Sequence, residues 1–274
     1  MPRFLVISIG ATLLATLTSA QPPEKPVTPL KRAHAHNDYE HKRPLLDALD
    51  QGFCSVEADI YLSEKGLLVA HFPWDVKPER TLEKLYLDPL RDRAKVNGAR
   101  IHQDGPAFYL LIDVKTDARK TYAALAKVLE GYADILSVTR DGTFEAKAVT
   151  VVVSGNCDRE AIMNQAVRYA AIDGHPADLN SDALAVLIPW VSASWSSQFK
   201  WDGTGAMPNA ERLKLREYVA KAHKRGQLVR FWGAPDKPEV WQEQLVAGVD
   251  LINTDKLADL RAFLILADGG KKLR

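Results

Sequence analysis

The sequence is short of charge imbalance, long apolar runs and cysteine, and each shortage narrows what the chain does. Its 274 residues carry 36 Lys and Arg against 35 Asp and Glu, a formal net charge of +1. Proteins that compete for a nucleic-acid backbone carry a basic excess, so nucleic acid is not an expected partner. With 46% hydrophobic and 26% charged residues, the composition is that of a globular chain and excludes disorder. The longest apolar stretch, Phe4 to Leu17, is shorter than the roughly 20 residues a membrane-spanning helix needs. No low-complexity break and no internal repeat interrupts the chain.

That apolar stretch is preceded by Arg3 and followed by Thr18-Ser19-Ala20, the order of a secretory signal peptide over residues 1–20. An exported protein, periplasmic or secreted, is therefore expected. No Cys follows the stretch, which argues against a lipid anchor, and no stable membrane anchor is expected after cleavage. Arg3 is the one charged residue in the segment, so its removal leaves 35 bases against 35 acids. Residues 21–30 are a Pro-rich extended lead-in, 31–268 form the body of the protein, and 269–274 are a basic tail.

The body alternates strand-like and helix-like patterns. Strands are expected at Lys31–Ala35, Ser55–Tyr61, Phe108–Val114, Val149–Ser154, Val167–Ile172, Val186–Ser192, Leu228–Trp232 and Val249–Asn253, several as the continuous apolar runs of parallel strands covered on both faces. Helical stretches fall between them at Arg119–Tyr132, Arg159–Gln165, Ala210–Arg225, Pro238–Ala247 and Lys256–Leu266, with Gly66–His71 a short excursion after the second strand. Eight strands joined by crossovers, in this length, predict an α/β fold, a single-domain TIM (β/α)8 barrel. An open doubly wound sheet is the alternative that periodicity leaves standing.

A barrel places its chemistry at the carboxyl ends of its strands. His36, Glu57, Asp59, His71, Asp113, Lys115, Ser154, Ser192, Trp232 and Asp255 all collect there. Glu57 and Asp59 stand two apart, so both carboxylates share one face of the second strand. Burying two carboxylates is costly unless a cation joins them. Asp113-Val114-Lys115 repeats the arrangement on the third strand, and three converging oxygen ligands suit a hard divalent cation, Mg2+ or Ca2+.

Several rival readings use the same residues. His34-Ala35-His36 resembles the start of an amidohydrolase-type metal site, with Lys115, His175, His223 and Asp255 as further members. In that reading the Glu57/Asp59 pair has no role, and His223 fits better as a helix-end cap. His41 and His102 read as surface residues. Trp190 and Trp195, with Ser192, Ser194, Ser196 and Ser197, form either a polyol-binding rim or barrel packing. A glycosidase draws its acids from separate strands, unlike Glu57 and Asp59. A barrel that binds a phosphate ligand without turnover is the non-enzymatic alternative. Cys54, entering the second strand, and Cys157, beyond the fourth, lie at opposite barrel ends, so both are expected to be free, buried thiols.

Taken in order, His36-Asn37-Asp38, Glu57-Ala58-Asp59, Gly66 to His71, Asp113-Val114-Lys115 and Gly248 to Asp255 resemble the glycerophosphodiester phosphodiesterase superfamily, the phospholipase C-like phosphodiesterases. His-Asn-Asp-Tyr near the start, with Arg230-Phe231-Trp232 and Pro235-Asp236 near the end, is similar to the branch of the fungal altered-inheritance-of-mitochondria proteins. The resemblance implies a TIM barrel with metal ligands Glu57, Asp59 and Asp113 and a catalytic acid/base pair, His36 and His71. It also implies substrate contacts from Lys115, Trp232 and Asn37. The substrate implied is a small phosphodiester or phospholipid headgroup. Three departures stand out: Asn37-Asp38 where the superfamily has Arg-Gly, Arg43-Pro44-Leu45-Leu46 in place of Pro-Glu-Asn, and Asp113 in place of Glu. The Asp-x-Lys form resembles the sphingomyelinase D branch, which releases cyclic phosphates.

Overall fold

A computed structural model describes residues 27–269. The expected signal segment 1–20, most of the Pro-rich lead-in and nearly all of the basic tail lie outside the described residues.

Eight parallel strands close into a barrel: β1 (Leu30–Ala35), β2 (Phe53–Ser63), β3 (Phe108–Val114), β4 (Val149–Gly155), β5 (Ala170–Gly174), β6 (Trp190–Ser194), β7 (Leu228–Trp232) and β8 (Leu251–Thr254). They pair in sequence order, and β1 closes the ring by pairing with both β8 and β2. Helical crossovers return the chain after the strands, among them Ala118–Glu130 after β3, Asn209–His223 after β6, Pro238–Ala247 after β7 and Leu257–Gly269 after β8. Helix Ala118–Glu130 is representative. Asp117 caps its start by accepting from the Lys120 N–H, and Thr121, Tyr122, Leu125 and Leu129 recur at helical spacing on the buried face.

Alternation along the strands sorts two environments. On β2, Val56, Ala58 and Ile60 point outward into the main hydrophobic core beneath the helices, while Glu57 and Asp59 point inward. The barrel interior is closed lower down by an apolar plug of Leu111, Val152, Ala171, Trp190 and Leu251. Polar residues above that plug therefore open only toward the carboxyl ends of the strands.

Six strands and most helices lie where the sequence pattern placed them, within a few residues. The fifth and sixth strands do not. Val167–Arg168 pairs with Val138–Arg140, which in turn pairs with Thr143–Glu145 in a small antiparallel sheet. The barrel strand starts at Ala170 and runs on to Gly174, which makes Asp173 an interior residue and not a loop residue. Likewise Val186–Pro189 lies outside β6, which extends to Ser194. The Gly66–His71 excursion is a strand, Gly66–Val69, antiparallel to the outer part of β2. Helices Leu46–Asp50 and Asp88–Val96 are additional to the sequence reading.

Two side chains, His102 and Cys157, correct that reading, and the tryptophans settle on one of the two readings given. His102 is buried, with Nε2 2.8 Å from the Phe53 carbonyl, and burial lowers its pKa. Trp190 and Trp195 are packing residues: both are buried, and the Trp195 indole donates to the Trp201 carbonyl. Cys54 is buried and Cys157 only half-buried, and both are free. Burial pushes each thiol up to about 12. Reactivity belongs to the thiolate. Neither cysteine is therefore expected to take up an alkylating reagent at pH 8 in the native protein, and both should do so in denaturant. Rapid native labelling, or a mass change on reduction, would contradict this arrangement.

Candidate active site

Glu57 and Asp59 come from β2 and Asp113 from β3, where the ladder sets Asp59 opposite Asp113 and Asp113 opposite Ser154. One oxygen from each of the three carboxylates lies within 4.8 Å of the others, the one such cluster among the described residues. The trio is compensated by two cations. Arg230 Nη2, from β7, donates to Glu57 Oε2 at 2.5 Å, and its Nε donates to Asn253 at 2.9 Å. Lys115 Nζ lies 2.9 Å from both Asp59 Oδ2 and Asp113 Oδ1.

These contacts set the electrostatics. Burial alone would raise the Glu57 pKa, but the Arg230 charge and the bond with His34 outweigh it and hold the carboxyl below its ordinary range. Asp59 is pushed up to about 6, first by burial and then by the Glu57 charge, against the pull of Lys115. Asp113 is raised mainly by burial, with Lys115 opposing. Three carboxylates, Glu57 and Asp59 buried and Asp113 half-buried, against two cations leave one negative charge. Asp59 Oδ1 is buried without a hydrogen-bond partner. An all-oxygen donor set with an orphaned buried oxygen fits a hard divalent cation, so Glu57, Asp59 and Asp113 are suited to hold one.

The two histidines are each anchored through Nδ1. His36 Nδ1 lies 2.8 Å from Asp255 Oδ1. Burial works to lower the His36 pKa, and the bond to Asp255 with the charge of Glu57 more than reverses it. His71 Nδ1 lies 2.8 Å from the Tyr39 hydroxyl and 3.4 Å from Asp59 Oδ2. Its backbone is fixed by the Tyr61 hydroxyl, which donates to the His71 carbonyl at 2.9 Å. In both rings Nε2 is the nitrogen left for chemistry. Asn37 sits in the first loop in a left-handed conformation, φ 46°, and its side chain meets the Tyr39 hydroxyl. Trp232, at the end of β7, is 46% exposed. Phe72 stacks on Trp74 at 4.8 Å and meets the His71 ring edge-on at 4.2 Å, adding exposed aromatic surface beside the site.

The residues of the amidohydrolase reading do not assemble. His34 is fully buried, bonded to Ser55 Oγ at 2.7 Å, and lowered to about 3 chiefly by burial and by Arg230. His223 caps the entry of β8 by pairing with Asp250 at 2.7 Å, at the opposite end of the barrel from the trio. His175 is exposed, Asp255 holds His36, and Lys115 is held by the carboxylates. Nor does the trio have the roughly 5 Å or wider carboxylate separation of a glycosidase, since its ligand atoms lie within 4.8 Å.

Sequence reasoning missed Arg230, Tyr39 and Asp173 as site residues. A lone arginine inside the strand Leu228-Val229-Arg230-Phe231-Trp232 was a usable signal, because a buried guanidinium demands an anionic partner. Asp173 accepts from the Trp190 indole at 2.6 Å and from Ser154 Oγ at 2.9 Å, and was hidden by the misplaced end of β5. Tyr39 reaches the site from a loop, where no periodicity marks it.

Comparison with known proteins agrees with this geometry. Residues 24–173 match the family model of the AIM6-like phosphodiesterase domain, and residues 229–258 match that of the glycerophosphoryl diester phosphodiesterase family. The altered inheritance of mitochondria protein 6 of Eremothecium gossypii is 31% identical over 93% of this chain and 73% of its own. The homolog from Arthroderma benhamiae is 28% identical over 81% and 80% respectively. Among solved structures, a calcium-dependent phosphoinositol-specific phospholipase C from Pseudomonas sp superposes with TM-score 0.54 at 12% identity, covering 86% of this chain and 93% of the other. A glycerophosphodiester phosphodiesterase from Parabacteroides distasonis gives 0.52 at 13%, covering 86% and 98%. These likenesses show a shared barrel. The relatives also correct the expected location: proteins named for the inheritance of mitochondria overturn the reading of a periplasmic or secreted protein. With one family model across more than half its length and a relative at 31% identity across 93% of it, the chain belongs to the AIM6-like phosphodiesterase family.

Proposed function

We propose that the protein cleaves a P–O bond in a small phosphodiester of the glycerophosphodiester or phospholipid-headgroup class, with Glu57, Asp59 and Asp113 holding Mg2+ or Ca2+. The observation that carries this reading is the largely buried carboxylate trio, left with one uncompensated negative charge, beside two histidines that each present Nε2.

A phosphodiester is an anion, so a nucleophile approaches it against charge. A bound divalent cation supplies the positive field that neutralises the phosphoryl oxygens. Lys115 adds a second positive charge at the same place. One histidine Nε2 takes the proton from the attacking hydroxyl as the new P–O bond forms, and the other returns a proton to the departing alkoxide as the old bond breaks. The attacking oxygen belongs to water or to a neighbouring hydroxyl of the substrate. The likeness of Asp113-x-Lys115 to the sphingomyelinase D branch favours the second course, which gives a cyclic phosphate. Asn37, Trp232 and the exposed Phe72 and Trp74 offer polar and apolar surface to the organic part of the diester. A protein of formal net charge +1 with one local cationic site suits a small ligand better than a nucleic acid.

Exhaustive chelation is expected to abolish turnover of glycerophosphodiesters and lysophospholipids, with Mg2+ or Ca2+ restoring it. Full activity after chelation would remove the cation from the mechanism. His36→Ala and His71→Ala should each lower kcat by at least ~10²-fold in folded protein. Wild-type turnover in both would contradict the assignment, and phosphorus NMR of the product separates an open from a cyclic phosphate.

Gly155 provides a further check on the trio. It has φ +67°, and a Cβ there would meet the Asp113 carboxylate and lie 2.6 Å from the Val114 carbonyl. Gly155→Ala is expected to weaken cation binding by about 10-fold or more by displacing Asp113. Unchanged affinity by titration calorimetry would show that Asp113 is not a ligand.

A further inference from the structure

The loop after β1 departs from the superfamily pattern at Asn37-Asp38, and the chemistry above gives the Tyr39 that follows no task. This tyrosine is buried, and its hydroxyl is 2.7 Å from Asp59 Oδ2, 2.8 Å from His71 Nδ1 and 2.7 Å from Asn37 Oδ1. Its position is fixed from several sides. Arg80 Nη2 donates to the Tyr39 carbonyl at 2.6 Å. The buried Asp38 carboxylate accepts from the Leu45 N–H at 2.5 Å and from the Tyr86 hydroxyl at 2.9 Å, clamping the loop that carries Tyr39. The Tyr39 and His71 rings stack with an interplanar angle of 22°.

A phenol has one proton to donate and two lone pairs with which to accept. An ionised Asp59, held by Lys115 and suited to a cation, only accepts. Tyr39 must therefore donate to Asp59, since two acceptors 2.7 Å apart would repel. The other two partners must then donate to Tyr39. For Asn37 this means turning the amide so that its NH2 faces the hydroxyl, an orientation set by the network. For His71 it means carrying the proton on Nδ1. The opposite tautomer would leave either Asp59 or His71 facing Tyr39 with no proton between them.

We propose that Tyr39 is a positioning residue that holds His71 in its Nδ1–H tautomer, relaying the hydrogen bond to Asp59 and leaving the Nε2 lone pair free for proton transfer. The inference rests on the phosphodiesterase reading only for its kinetic consequence. It accounts for the three residues after His36 together: Asn37 turns the chain and completes the Tyr39 shell, Asp38 clamps the loop, and Tyr39 links a proton-transfer residue to a cation ligand.

The test compares Tyr39→Phe with Tyr86→Phe, which removes a hydrogen bond from the same loop without touching His71. Nitrogen-15 NMR of the histidine rings is recorded without metal and with Mg2+ or Ca2+, alongside kcat and KM on a glycerophosphodiester. Tyr39→Phe is expected to replace the single His71 Nδ1–H tautomer by a mixture and to lower kcat roughly 10- to 100-fold, with KM little changed. Tyr86→Phe should keep both the tautomer and kcat. An unchanged tautomer or a wild-type kcat in Tyr39→Phe overturns the proposal, as does an equal loss in Tyr86→Phe. If the wild type turns over no phosphodiester while Tyr39→Phe still scrambles the tautomer, the positioning role stands and the phosphodiesterase reading fails.

Discussion

Everything at the mouth of this barrel depends on three carboxylates, two buried and one half-buried, held within 4.8 Å of one another. Each would lose several kcal/mol of hydration without compensation, and mutual repulsion adds to that cost. The fold meets the demand from two sides. Arg230 crosses the barrel interior from β7 to Glu57, and Lys115 reaches back from the end of β3 to bridge Asp59 and Asp113. Removing one partner of a buried pair of this kind typically costs about 3–5 kcal/mol. The compensation is incomplete by one charge, and Asp59 bears most of the strain: burial first, then the Glu57 charge, push its carboxyl up to about 6. A divalent cation held there would offset that charge and make the site positive, as the proposed anionic phosphodiester would require.

The same constraint organises the neighbouring residues. The apolar plug closes the barrel below, so the polar layer has a single exit. His34 is kept neutral beside the Glu57–Arg230 pair, while His36 and His71 stand nearer the exit, each fixed at Nδ1 by a different kind of partner. The first loop is stapled by Asp38 so that Tyr39 reaches Asp59 and His71 at once. A hydrogen bond at Nδ1 fixes each ring in one orientation.

Much of this was legible in the sequence. Parallel barrel strands appear as apolar runs, so β3 and β7 match their expected limits to the residue. Glu57, Asp59 and Asp113 stood out because charge inside such runs violates the pattern. The failures have physical causes. Val167–Arg168 has strand character but belongs to another sheet, a pairing that composition does not encode. His102 was misjudged because a polar-looking neighbourhood hid a buried bond to the Phe53 carbonyl. Tyr39 and Arg230 act across gaps in sequence of 20 and 173 residues, and only the closed barrel brings them to their carboxylates. The amino terminus misled differently: its order fits an export signal, yet the relatives carry names of mitochondrial inheritance.

The central claim is that this charge deficit is a cation site facing a phosphate. Its most direct test is a crystal structure of the protein grown with Mg2+ or Ca2+ and inorganic phosphate. The account predicts an ion bound by Glu57, Asp59 and Asp113, with phosphate against it and Lys115 turned toward the phosphate. A structure at saturating cation in which Lys115 still bridges Asp59 and Asp113, and no ion lies among the three carboxylates, would contradict it.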